Sequence, residues 1–200
     1  MADIVVDNVK KQFRTDVLKI RNSLTPGEIL DNSERICKCI CADSKYVKCR
    51  DILLYSSFGS EVKTSYLFER ALADKKNVYF PKVTGTNMDF YKVTSINELN
   101  AGFKGILEPF TSNSAFNSGK NAIVIVPGTV FGKDGYRIGY GKGYYDRFLA
   151  RFPDIYKIGI CHSIQLVPNV PYDEFDVRMD EIICESYILN KDGNGEARWI

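Results

Sequence analysis

The chain reads as one α/β layered domain, and three observations predict it. Short apolar runs alternate with longer stretches of helical periodicity along its 200 residues, the pattern of strands layered with helices. Of those runs, residues 52–55 show no polar alternation, as in a strand covered on both faces, and residues 122–126 form the strongest strand of the chain. A glycine-rich stretch follows directly on the second run, where open α/β sheets gather ligands. No internal repeat or linker divides the pattern. Residues 1–190 therefore read as a single domain and the polar segment 191–200 as a tail.

Taken in order, residues 3–22 form a helix, because Val5, Val9, Phe13, Val17 and Ile20 recur at helical spacing. Lys10 and Arg14 are four apart and share one of its faces. Thr25, Pro26 and Glu28 supply an N-cap, a first-turn proline and the third-position acid of a capping box, so a second helix runs over residues 26–42. Residues 52–55 are a strand, 56–61 a polar loop and 62–74 a helix. Residues 78–83 and 88–93 pair as a hairpin around 84–87, with Pro81 arguing against a central position for the first strand. Residues 101–120 are loop-like, and 122–126 is the strongest strand. A helix starts near Lys142 and runs to residue 151, and strands follow at 156–161 and 181–188.

Composition excludes several classes. A formal charge of +2 gives no global field for a nucleic acid, so any anion site is a local arrangement. No apolar run approaches the roughly 20 residues of a membrane span. The N-terminus lacks a cleavable apolar region, so no secretory signal is expected. The 6 cysteines contain no C-x-x-C pair, and Cys37, Cys39 and Cys41 are two apart on a helix. They read as buried or half-buried free thiols in a reducing cytoplasm. His162 is the single histidine, which rules out a histidine-rich metal site.

Residues 126–148 are the informative stretch. Gly132, Gly135, Gly139, Gly141 and Gly143 let the backbone approach a ligand, and Arg137 and Lys142 flank them. Loop amides, a following helix N-terminus and two cations make a phosphate cradle, and Asp146 in the first helical turn suits a metal bridging phosphates. The plain alternative is a set of turns with an aspartate favouring the helix dipole. Neither a Walker loop nor a dinucleotide fingerprint is present. Tyr140, Tyr144 and Tyr145 serve equally as a stacking surface for a flat heterocycle or as core and rim aromatics.

These residues resemble a known family. Pro127-Gly128 and the run Arg137, Ile138, Gly139, Tyr140, Gly141, Lys142, Gly143, Tyr144, Tyr145, Asp146 are similar to the signature of the 5-formyltetrahydrofolate cyclo-ligases. Lys10 with Arg14, residues 57–64, residues 105–109, and residues 165–168 with 176–180 resemble the family's other segments in the same order. The resemblance implies a mixed, mostly parallel sheet flanked by helices, similar to sugar-phosphate isomerases and CoA transferases. It implies ATP binding by Lys10, Arg14 and the run from Arg137 to Tyr145, and folate binding by Ser56, Glu61, Tyr140 and Tyr144. It implies magnesium at Asp146 and Asp176, and a cytoplasmic enzyme, expected to be a monomer, that uses ATP and 5-formyltetrahydrofolate without nucleic-acid or membrane partners. Four departures stand out: Lys142 where many members have glycine, Tyr140 where some have arginine, Phe175 where bacterial members often have histidine, and Phe103 with Lys104 where some place an aromatic.

The implied chemistry is physically coherent. A formyl amide is a poor electrophile until the γ-phosphoryl of ATP is transferred to its oxygen, after which N10 closes the ring and phosphate leaves. Such an enzyme supplies positioning and charge neutralisation rather than a nucleophile. Arg137, Lys142 and Tyr144 are the catalytic candidates, with Arg14 beside them. Lys11, Arg21 and the other scattered charges read as solvated surface. The rival readings are a non-catalytic folate-binding protein, a transferase or isomerase on the same scaffold, and a nucleotide-responsive regulatory domain.

Overall fold

The computed structural model describes residues 2–102 and 105–190, with side chains from residue 6 onward. The expected tail at 191–200, and Phe103 and Lys104, lie outside the described residues. Helix α1 spans Ala2–Arg21 and α2 spans Pro26–Ala42. The capping box at Thr25 is present: Glu28 N donates to its hydroxyl, and its own N donates back to the Glu28 carboxylate. A short α3, Ser44–Lys48, leads into strand β1, Asp51–Leu53. Then come α4 (Ser65–Ala73), β2 (Asn77–Thr84), β3 (Asn87–Val93), β4 (Leu99–Ala101), β5 (Leu107–Pro109) and β6 (Ala122–Val126). The chain continues through β7 (Val130–Gly132), β8 (Arg137–Ile138), α5 (Tyr144–Arg151), β9 (Tyr156–Ile160), β10 (Leu166–Val167), β11 (Glu181–Ile183) and β12 (Ile188–Asn190).

The main sheet has the order β12-β11-β9-β6-β1-β2-β3. Its five inner strands run parallel, and β3 and β12 close the two edges antiparallel. Strand β6 explains why its sequence is apolar throughout. Ile123 and Ile125 face a core shared with Ile36, Ile40 and Leu67, while Val124 and Val126 face Phe131, Phe148 and Met179 on the other side. Each such fully buried side chain contributes about 1.5–3 kcal/mol. The chain builds the sheet outward from β1 in one direction and from β6 in the other. The crevice between their carboxyl ends is the switch point where ligands bind in such sheets.

Several expectations are corrected. Residues 101–120 are not purely loop, since β5 lies within that region and pairs with β4, which ends at Ala101, as a two-stranded sheet. Residues 181–188 are not one strand: β11 turns back through residues 184–187 to pair with β12. Strand β2 is interior for Asn77 to Tyr79, where β1 pairs with it. Pro81 lies beyond that reach and faces only β3, so its missing donor costs the sheet nothing on that side. The glycine-rich stretch carries β7 and β8, which join β10 in a small separate sheet. None of the six cysteines forms a disulfide; Cys39 and Cys41 are half-buried and the rest buried.

Candidate active site

Two loops meet at the switch point. The loop after β1 is closed by its own bonds: Tyr55 Oη donates to Val62 O at 2.7 Å, and Thr64 Oγ1 donates to Tyr55 O at 2.8 Å. Phe58 N donates to Glu61 Oε2 at 2.8 Å, which fixes the Glu61 carboxylate. The stretch after β6 turns at Gly128, where an added Cβ would sit 2.7 Å from the Phe131 ring, so a larger residue would displace the ring. It passes through β7 and β8 and enters α5 at Gly143, whose φ of 62° is left-handed.

The structure brings two of the four folate candidates together, Glu61 and Tyr140. Glu61 is 6% exposed, and its Oε1 accepts from Tyr140 Oη at 3.0 Å. Burial raises the Glu61 pKa above the ordinary glutamate value, while the Phe58 amide, Arg21, Tyr140 and Lys63 oppose the rise. Burial, with the Glu61 charge next, also raises Tyr140. Tyr144 lies apart from this pair: its Oη donates to Gly85 O at 3.4 Å and Arg147 stacks over its ring. Ser56 Oγ donates to Leu107 O at 2.5 Å, on β5.

The phosphate candidates differ in how far their charge is already committed. Lys10 is 6% exposed and pairs with Asp173 at 2.7 Å and Asp176 at 2.5 Å. Burial pulls its pKa down, but the two carboxylates outweigh that and leave it above the usual lysine value. Arg14 Nε donates to Gly139 O at 2.7 Å, and its guanidinium lies against Gly141. Arg137 is buried, donates to Asp146 Oδ1 at 2.9 Å and stands over the Tyr145 ring. Its Nε, the Tyr145 hydroxyl and Thr129 Oγ1 have no hydrogen-bond partner among the described residues. Ile138 faces the core and offers the loop only its backbone. Lys142 is exposed and makes no ion pair among the described residues.

Asp146 and Asp176 are brought near each other, because Val177 N, one residue past Asp176, donates to Asp146 Oδ1 at 3.2 Å. No group of three or more His, Cys, Asp or Glu suited to a metal occurs among the described residues. The expectation that Arg21 is solvated surface is overturned. It is 3% exposed and donates to Ser60, Gly128 and Tyr140, because the inner face of α1 packs onto both loops. A separate concavity of about 470 Å³ between α1 and β10 is lined mainly by Val9, Phe13, Val17 and Val167. It holds none of the site residues and offers no cation to a phosphate.

Comparison with known proteins identifies the family. A sequence model of the 5-formyltetrahydrofolate cyclo-ligase family matches residues 6–185. A probable 5-formyltetrahydrofolate cyclo-ligase of Schizosaccharomyces pombe is 28% identical, with 90% of this chain and 97% of that protein covered. The 5-formyltetrahydrofolate cyclo-ligase of Mus musculus is 27% identical, with 92% and 98% covered. Among solved structures, 5,10-methenyltetrahydrofolate synthetase of Aquifex aeolicus superposes with a TM-score of 0.82 at 32% identity, over 92% of this chain and 93% of that one. The Mycoplasma pneumoniae synthetase gives 0.72 at 27% identity, over 88% and 98%. The chain belongs to the 5-formyltetrahydrofolate cyclo-ligase family.

Proposed function

We propose that the protein is an enzyme that uses ATP to close 5-formyltetrahydrofolate to 5,10-methenyltetrahydrofolate, releasing ADP and phosphate. The observation that carries this reading is the contact, at one switch point, of the buried Glu61 carboxylate with Tyr140 of the glycine-rich loop, two residues before Lys142, which is exposed and makes no ion pair among the described residues. Glu61 is suited to accept from pterin N–H groups, and Lys142 is suited to meet phosphate oxygens.

On this reading the γ-phosphoryl leaves ADP and bonds to the formyl oxygen. N10 attacks the formyl carbon and loses its proton, and the carbon–oxygen bond breaks to free phosphate. Lys142 neutralises charge on the phosphoryl in transit, and Arg14 holds the loop by its bond to Gly139 O. Lys10 and Arg137 set the field behind the phosphates, and the backbone from Ile138 to Gly143 lines them. Tyr144 and Tyr145 bound the site at the head of α5, with Tyr144 and Ser56 at the folate rim and Tyr140 next to Glu61.

Two part-exposed carboxylates, with no third such ligand among the described residues, suit magnesium, which keeps waters and takes phosphate oxygens to complete its shell. Both bonds to Asp146 fall on Oδ1, which leaves Oδ2 for an ion. Asp146 and Asp176 would hold it, and when bound it would neutralise and orient the phosphates. Six cysteines without a disulfide support work in a reducing cytoplasm.

The test is to mix the protein with 5-formyltetrahydrofolate, magnesium and ATP and follow the near-ultraviolet absorbance of the methenyl product. Growth of that signal only with ATP, matched by released phosphate, is the expected result. Folded protein that binds the folate without turnover would instead indicate a binding protein.

A further inference from the structure

Arg21 occupies a place that no catalytic role requires, yet it is among the most fully engaged side chains at the site. Its three nitrogens reach three segments. Nε donates to Ser60 Oγ at 3.0 Å in the loop after β1, Nη1 to Gly128 O at 3.4 Å in the turn after β6, and Nη2 to Tyr140 Oη at 2.9 Å in the glycine-rich loop. The tyrosine hydroxyl accepts that bond and donates onward to Glu61 Oε1 at 3.0 Å. A phenol has one proton to give, so this arrangement fixes its direction toward the carboxylate. The neighbours hold Arg21 in place. Ser60 Oγ donates to Asn22 Oδ1, a ring nitrogen of His162 lies 3.2 Å from Ser60 O, and Gln165 Nε2 shares Gly128 O at 3.0 Å.

We propose that Arg21 is a positioning residue for the folate subsite: through Tyr140 it aims the Glu61 carboxylate and so sets affinity for the reduced folate, not for ATP. The inference rests on the reading that Glu61 meets the pterin. A planar fork of donors is what three acceptors on three segments demand, and a lysine ammonium cannot span them. Among the described residues Glu61 makes no direct ion pair, since the phenol stands between it and the guanidinium. Arg21, Lys63, Tyr140, Tyr55 and Tyr145 are the titratable groups that act on it, and Arg21 favours its ionised form.

The test compares Arg21→Met, Arg21→Lys, Tyr140→Phe and Glu61→Gln by KM for 5-formyltetrahydrofolate and for ATP across pH. Arg21→Met raises the folate KM about tenfold, the loss of one charge-assisted hydrogen bond, and leaves the ATP KM within about twofold. The acid limb of folate kcat/KM moves to higher pH, because Glu61 without its cation is harder to ionise. Arg21→Lys does not restore the folate KM, and adding Tyr140→Phe to Arg21→Met changes little further. Equal rises in both KM values, or an unchanged folate KM in a merely less stable protein, overturn the proposal. If Arg21→Met does not fold, Tyr140→Phe decides: no folate-selective rise overturns it. Glu61→Gln separates the two readings. A normal folate KM there removes the folate role of Glu61 and the proposal with it. A raised one beside an unchanged Arg21→Met removes the proposal alone.

Discussion

The inner face of α1 and the glycine-rich loop both bring cations to the same crevice, but only the loop leaves one unspent. On α1, Lys10 is clamped by two carboxylates, Arg14 by the Gly139 carbonyl and Arg21 by three acceptors. On the loop, Lys142 is exposed and makes no ion pair among the described residues. A buried cation must be paired to be tolerated, and once paired it holds the frame more than it meets a newcomer. The lesson is a division of labour: α1 ties the two loops together, and the loop presents the charge that moves with the phosphoryl.

That contrast can be broken by substitution. Lys142→Ala has the largest expected effect, a fall in kcat on the order of 100-fold. Its folate KM and urea midpoint stay near wild type, as stopped turnover assays and urea titration would read. A large loss of stability in this variant would place Lys142 with the frame. Lys10→Met shows the opposite profile. It strands Asp176 and half-exposed Asp173, and costs about 2 kcal/mol of stability, less than a fully buried pair because Asp173 is well solvated. An unchanged urea midpoint there would refute its framing role.

Glu61→Gln gives a smaller effect with a pH signature. The Glu61 pKa lies above the ordinary glutamate value, so in the wild type folate kcat/KM falls as pH drops through that raised value. The glutamine variant lacks this acid limb and has a folate KM raised about tenfold, as for one lost charge-assisted bond. A retained limb would assign it to another group. The smallest effect sharpens the comparison from the side of the clamp. Asp173 is held below its usual pKa, first by the Lys10 bond, so its contribution to stability is present above the unfolded value and lost as pH falls through the folded one. Asp173→Asn therefore flattens the acid arm of the stability profile by under about 1 kcal/mol, as expected for a half-exposed partner.

Much of this was legible in the residues, for identifiable reasons. Strand β6 is apolar on both faces because both faces are covered, and Thr25, Pro26 and Glu28 name the start of α2 without help from tertiary contacts. The hairpin β11–β12 was not legible because its turn, residues 184–187, contains no glycine, proline or asparagine. Strands β4 and β5 are three residues each, too short to impose alternation. Arg21 does carry a signal in the sequence: it lies eleven residues after Lys10, about three helical turns, and so on the same face. What the spacing could not give is that this face meets two loops, which depends on where β1 and β6 end.

In the proposed reaction the phosphoryl group passes to the formyl oxygen at the junction of these two loops. That transfer is tested most directly by giving the enzyme 5-formyltetrahydrofolate with a heavy-oxygen label in the formyl group and weighing the phosphate released during one turnover. The label is expected in the phosphate, since the formyl oxygen departs with it. Unlabelled phosphate, formed while the methenyl product still accumulates, would contradict it.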